Sequence, residues 1–164
     1  MKHKLSQLIL TLAALCLFAG AAVAQGWTAT RVTSSGRDLN AVYFIDSKRG
    51  WVGGDSGFLS YTDDAGASWT PSTGCGVGTL LDHESVGGGP FHAPLPAGVG
   101  YPDAVYYCAQ NGTDSCVTSG NGGVTFGAPT IVSGACSGLH GHVKVSPDGT
   151  AYVPNSHCGS ATGG

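Results

Sequence analysis

An eight-residue turn occurs twice in this chain, and it restricts the fold more than any other feature. Thr62-Asp63-Asp64-Ala65-Gly66-Ala67-Ser68-Trp69 and Ser119-Gly120-Asn121-Gly122-Gly123-Val124-Thr125-Phe126 fit one template: hydroxyl, any residue, Asp or Asn, any residue, Gly, any residue, Ser or Thr, aromatic. The second copy carries Asn121 for the Asp and Phe126 for the Trp. In such a turn the carboxylate or amide accepts backbone N–H groups and the Gly takes a positive φ. The aromatic residue is then free to pack between neighbouring layers. Two copies of one turn predict two equivalent structural units.

The segments around the turns agree. Ala41-Val42-Tyr43-Phe44-Ile45, Gly50-Trp51-Val52-Gly53-Gly54 and Phe58-Leu59-Ser60-Tyr61 are short apolar runs between turn signals, leading into the first copy. Ala104-Val105-Tyr106-Tyr107 and Cys116-Val117-Thr118 lead into the second. A further hairpin is predicted from His142-Val143-Lys144-Val145 to Thr150-Ala151-Tyr152-Val153, turning at Ser146-Pro147-Asp148-Gly149. The two turns begin 57 residues apart, more than a four-stranded repeat of about 40–50 residues needs. The Gly/Pro-rich stretch from Gly87 to Pro102 reads as a loop that absorbs the excess. After the N-terminal apolar run no segment keeps a helical period, so the expected class is all-β.

These residues resemble the Asp-box of the bacterial-neuraminidase-repeat β-propellers, including secreted sialidase-like repeat proteins. Asp82-His83-Glu84, Ala104-Val105-Tyr106-Tyr107-Cys108 and Gly138-Leu139-His140-Gly141-His142-Val143-Lys144-Val145 carry the sialidase-like side of the resemblance. Residues 27–70, through Val42-Tyr43-Phe44-Ile45-Asp46-Ser47-Lys48-Arg49-Gly50-Trp51-Val52-Gly53, are also similar to a blade of the photosystem II assembly-factor propellers. The resemblance implies structural Asp-boxes at Thr62, Asp64, Gly66, Ser68, Trp69 and at Ser119, Asn121, Gly123, Thr125, Phe126. Both aromatics are expected to be largely buried, with Trp69→Ala costing about 3–5 kcal/mol. The expected domains are a blade at about 27–74, a second at about 100–132 and a hairpin at about 138–158. A propeller closes with about four to eight blades, so the expectation is an incomplete propeller, with self-association of copies as an alternative.

Lys2 and Lys4 precede an apolar run from Leu8 to Val23 that ends in Ala22-Val23-Ala24. This reads as a secretory signal peptide over residues 1–24, cleaved near Gln25, and places the protein in the periplasm or outside the cell. A membrane anchor is the competing reading, but the small-residue end suits a peptidase and no basic stop-transfer flank follows. Without that segment five cations (Arg31, Arg37, Lys48, Arg49, Lys144) face ten acids. Nucleic-acid binding needs clustered cations on a basic face and is excluded on this balance. Of the five remaining cysteines, Cys108–Cys116 and Cys136–Cys158 are the expected disulfides, each bracketing a hairpin, while Cys75 stays unpaired.

For chemistry, Asp82-His83-Glu84 is the densest polar cluster. It could supply a general base or metal ligands, or be a solvated loop start. His140 and His142, two apart on an expected strand, would share a face. They could hold a divalent metal with His83 or Asp82 as third ligand, or be hydrogen-bonded residues lining a centre. These five residues form the candidate ligand or metal face. A sialidase resemblance would imply an arginine triad, a Tyr/Glu nucleophile pair and an Asp acid. Tyr106, Tyr107, Glu84 and Asp103 are present, but Arg31, Arg37 and Arg49 all lie in or before the first blade and no Arg-Ile-Pro occurs. The expected function is therefore a non-catalytic binding module for a glycan or a protein. A sialidase-like glycoside hydrolase fragment is one alternative. The other is an assembly scaffold with a basic docking surface around Arg31, Arg37, Lys48 and Arg49.

Overall fold

A computed structural model describes residues 36–76, 82–110, 112–133 and 140–156. The signal segment, Arg31, Cys136 and Cys158 lie outside the described residues. What is described is all-β, with no α-helix. Strands β1 (Leu39–Phe44), β2 (Gly50–Gly54), β3 (Phe58–Thr62) and β4 (Thr70–Pro71) form one antiparallel sheet in chain order. Strands β5 (Asp82–Pro90), β6 (Asp103–Gln110), β7 (Asp114–Ser119) and β8 (Thr130–Ser133) form a second with the same order. A two-stranded hairpin follows, β9 (Lys144–Val145) and β10 (Ala151–Tyr152). Two consecutive four-stranded meanders packed face to face are the layer arrangement of propeller blades.

Each repeated turn joins the third strand of its sheet to the fourth, and the two share a hydrogen-bond scheme. Thr62 Oγ1 donates to Asp64 Oδ1 at 2.7 Å and accepts from Gly66 N at 2.9 Å, while Ser68 N donates to Asp64 Oδ1 at 2.8 Å. In the second turn Ser119 Oγ donates to Asn121 Oδ1 at 2.8 Å and accepts from Gly123 N at 2.9 Å, while Thr125 N donates to Asn121 Oδ1 at 3.0 Å. One bond reverses. Ser68 Oγ donates to the Asp64 carboxylate at 2.5 Å, whereas the Asn121 amide donates to Thr125 Oγ1 at 2.8 Å. The Ser68 hydroxyl and amide, followed by the Thr62 hydroxyl, hold the Asp64 carboxyl down to about 2.

The aromatics of the two turns are not equally placed. Phe126 is buried, but Trp69 is only half-buried, lying edge-on to Phe44 with ring centroids 6.2 Å apart. The residue that fills the space between the sheets is Trp51 of β2, which is fully buried. Its indole donates to Gly122 O at 3.1 Å, and it stacks on Tyr43 with centroids 6.1 Å apart. Arg49 donates to the same carbonyl while lying over Tyr61 at 4.4 Å from the ring centroid. The second turn is thereby clamped onto the first sheet. Trp69→Ala is accordingly expected to cost about 1–2 kcal/mol, below the cost of deleting a fully buried ring. Urea denaturation would check this, and a loss above about 3 kcal/mol would contradict the half-buried placement.

Two further expectations are corrected. Gly87-Gly88-Gly89-Pro90 is not loop but the second half of β5, so the second sheet starts at Asp82 instead of near residue 100. A Cβ at Gly87 would meet Val143 O at 2.6 Å, one at Gly88 Ala104 O at 2.8 Å, and one at Gly89 Val145 Cβ at 2.8 Å. The strand is glycine-rich because it is covered closely by other chain segments. The last hairpin is also shorter than expected, since strand pairing begins only at Lys144 and residues 141–143 are not strand.

The core lies in two layers. Trp51, Leu59, Val86, Val105, Tyr107, Val117 and Phe126 pack between the sheets, and Val143 packs with Cys108 and Cys116 on the far side of the second sheet. Cys108–Cys116 is a disulfide between directly paired strand residues, with Cα atoms 4.1 Å apart. Cys75 is a free, buried cysteine. Burial raises its thiol pKa, which leaves it poorly ionised.

Candidate functional site

Strand β5 opens with an irregularity. Asp82 pairs with Gln110 and Ser85 with Cys108, so three steps on β5 answer two on β6. The extra residue falls at His83-Glu84, and His83 takes φ +55, an uncommon conformation for a residue with a Cβ. A bulge of this kind redirects side chains, and such backbone conformations concentrate at functional sites. It turns Glu84 inward to 3% exposure, while His83 stays exposed.

These residues form one wall of a cleft of about 470 Å³. Asn40 of β1 and Asp55, just after β2, form another, and His140, Gly141 and His142 close it. The third wall is tied down from several directions. Val143 N donates to Ser85 Oγ at 2.8 Å, Gly141 N donates to Pro154 O at 2.7 Å, and His140 bridges Asn155. Asn155 in turn donates to the buried carboxylate of Asp114, which also accepts from Ser133 Oγ at 2.5 Å.

Within the cleft Asn40 Nδ2 donates to Asp55 Oδ1 at 2.9 Å and to Glu84 Oε2 at 3.0 Å, so a single amide spans both carboxylates. Glu84 Oε1 is buried and has no hydrogen-bond partner. His140, 4% exposed, has Nδ1 2.9 Å from Gly141 O. A carbonyl can only accept, so Nδ1 carries a proton, and the buried Nε2 is left without a partner. The rings of His83 and His140 meet edge to face at 6.5 Å. Tyr107 of β6 is fully buried with no partner for its hydroxyl. Burial, and then the charge of Glu84, push that phenol well above its ordinary range.

Four of the five candidate residues thus line one cleft: His83, Glu84, His140 and His142. Asp82 opens the strand opposite Gln110. His140 and His142 do not share a strand face, since one is buried and the other exposed. Among the described residues no group of three or more His, Cys, Asp and Glu side chains is placed to hold a metal ion. Sequence reasoning misses Asn40 and Asp55, which come from the other sheet. Of the residues named with the sialidase resemblance, Glu84 and Asp103 do not converge, since Asp103 pairs with Pro90 at the far end of β5. Six strand steps, from Glu84 to Pro90, hold them about 20 Å apart. Tyr106 faces a different cleft, with Cys116, Thr118 and Val153. Arg49 belongs to the packing between sheets, its side chain 14% exposed, and so is withdrawn from any basic docking surface.

No family model matches the chain, and no curated protein matches it. Among solved structures it is similar to one described as YCF48 bound to D1 peptide, at 19% sequence identity and a TM-score of 0.42. That similarity covers 81% of this chain and 39% of the other, so the chain spans about two fifths of that protein's length.

Proposed function

We propose that this chain is an exported, non-catalytic binding module built from Asp-box propeller blades, with its ligand site in the cleft between β1, β5 and residues 140–142. One observation carries the reading: two buried side-chain polar atoms, Glu84 Oε1 and His140 Nε2, lie unpartnered at the wall of one cleft. Buried polar atoms are normally satisfied, and leaving them unmade costs about 1–3 kcal/mol each. A ligand bearing N–H or O–H groups, on a glycan or a protein, recovers that loss on binding.

The sialidase-like alternative has less support. The cleft is lined by two carboxylates and three histidines with no arginine or lysine, so a substrate carboxylate would meet repulsion instead of a guanidinium clamp. The test is a panel of immobilised glycans and peptides probed with the purified exported chain. Saturable binding to at least one member is expected, and Asp55→Ala combined with His142→Ala should weaken it about tenfold. Neither residue belongs to the core, so the unfolding midpoint should barely move. Sialoside hydrolysis should remain at background. Hydrolysis that disappears in Glu84→Gln, or binding indifferent to both cleft substitutions, would overturn the proposal.

A further inference from the structure

The charge and donor inventory of the same cleft narrows its ligand, an inference that rests on the cleft being the binding site. Its lining holds two carboxylates, Asp55 and Glu84. Among the described residues no lysine or arginine is ion-paired with either cleft carboxylate. Arg37 approaches from outside but donates to the carbonyl oxygens of Asp55 and Ser56, at 3.2 and 3.5 Å. Asn40 holds one oxygen of each carboxylate in place. This orients Glu84 while leaving its buried Oε1 unpartnered. On the opposing wall His140 Nδ1 is committed to a carbonyl, so in the neutral tautomer Nε2 is an acceptor facing no partner.

We propose that this cleft binds a guanidinium group, as carried by an arginine side chain of a peptide. Three features fit that group better than a neutral hydroxyl. It is planar with five N–H donors, enough to serve both Glu84 Oε1 and a neutral His140 Nε2. Its positive charge offsets two carboxylates that have no lysine or arginine partner among the described residues. It is also weakly hydrated for a cation, so moving it beside a buried carboxylate costs less than moving an ammonium.

The experiment is calorimetric titration of the intact exported protein at low salt. The probes are N-acetyl-arginine amide, its neutral isostere N-acetyl-citrulline amide, methylguanidinium, and a short arginine-containing peptide. Arginine amide is expected to bind saturably and at least about tenfold more tightly than citrulline amide, weakening as salt rises. Glu84→Gln and, separately, the less buried Asp55→Asn should each weaken it about tenfold or more, as expected for a hydrogen bond to a charged group. Asp55→Asn serves as the reading if Glu84→Gln does not fold. A peptide that binds more tightly than methylguanidinium identifies a protein source, whereas equal affinity identifies a free guanidine; both support guanidinium recognition. Citrulline amide binding as well as arginine amide would overturn it, as would arginine binding untouched by either exchange. If a neutral oligosaccharide binds and arginine amide does not, the guanidinium assignment falls while the binding-module reading stands. If nothing binds, both fall.

Discussion

Trp51→Ala is expected to remove about 4–5 kcal/mol of folding stability, measured as a fall in the urea midpoint at unchanged slope. Deleting a large buried aromatic costs about 3–5 kcal/mol, and Trp51 sits at 0% exposure between the two sheets. It also supplies the donor to Gly122 O and part of the surface on which Arg49 lies. With a total stability of about 5–15 kcal/mol for a domain of this size, the variant would be largely unfolded at moderate urea. Trp51→Phe retains most of the apolar surface and loses the hydrogen bond, so a loss of about 1–2 kcal/mol is expected. The comparison with Trp69→Ala decides the arrangement. Should Trp69→Ala prove the more damaging, the assignment of Trp51 as the aromatic between sheets would be wrong.

The second large effect is expected at Gly123. This residue has φ +77, and a Cβ there would fall on the indole nitrogen of Trp51. Gly123→Ala therefore combines a left-handed backbone, about 1–2 kcal/mol, with overpacking of a rigid ring, about 1–3 kcal/mol or more. Gly98 is the control, since it has φ +78 and nothing within 4 Å of an added Cβ. Gly98→Ala should show the backbone cost alone, about 1–2 kcal/mol. Thermal unfolding of the pair would check this. Equal losses at the two glycines would mean that Gly123 is not packed against Trp51, and that the second turn is not clamped to the first sheet.

About half of the candidate site is legible in the sequence. Asp82-His83-Glu84 and His140-Gly141-His142 stand out because they concentrate polar and titratable groups in a chain with few of either. Their convergence cannot be read there, because the segments are far apart along the chain. Asn40 and Asp55 carry no signal at all. Each is an ordinary turn-compatible residue, and only the packing of β1 beside β5 brings them to Glu84. The β5 strand escapes sequence reading for a related reason. Three consecutive glycines oppose strand formation by local propensity, and their use appears only in the way Val143, Val145 and Ala104 press against that backbone.

By itself, the sequence determined the local structure: the two hydroxyl–Asp/Asn–Gly turns, the short apolar strands leading into them, and the disulfide across β6 and β7. Each depends on groups within a few residues of one another, or across a single hairpin, so the residue types and their spacing suffice. Tertiary structure alone decided that Trp51 and not Trp69 is the fully buried ring between the sheets, that Arg49 is spent on packing, and that Glu84 and His140 share a cleft. Those outcomes depend on which face of one sheet meets which turn of the next. Local hydrogen-bond chemistry cannot specify that choice, because close packing between residues distant along the chain selects it.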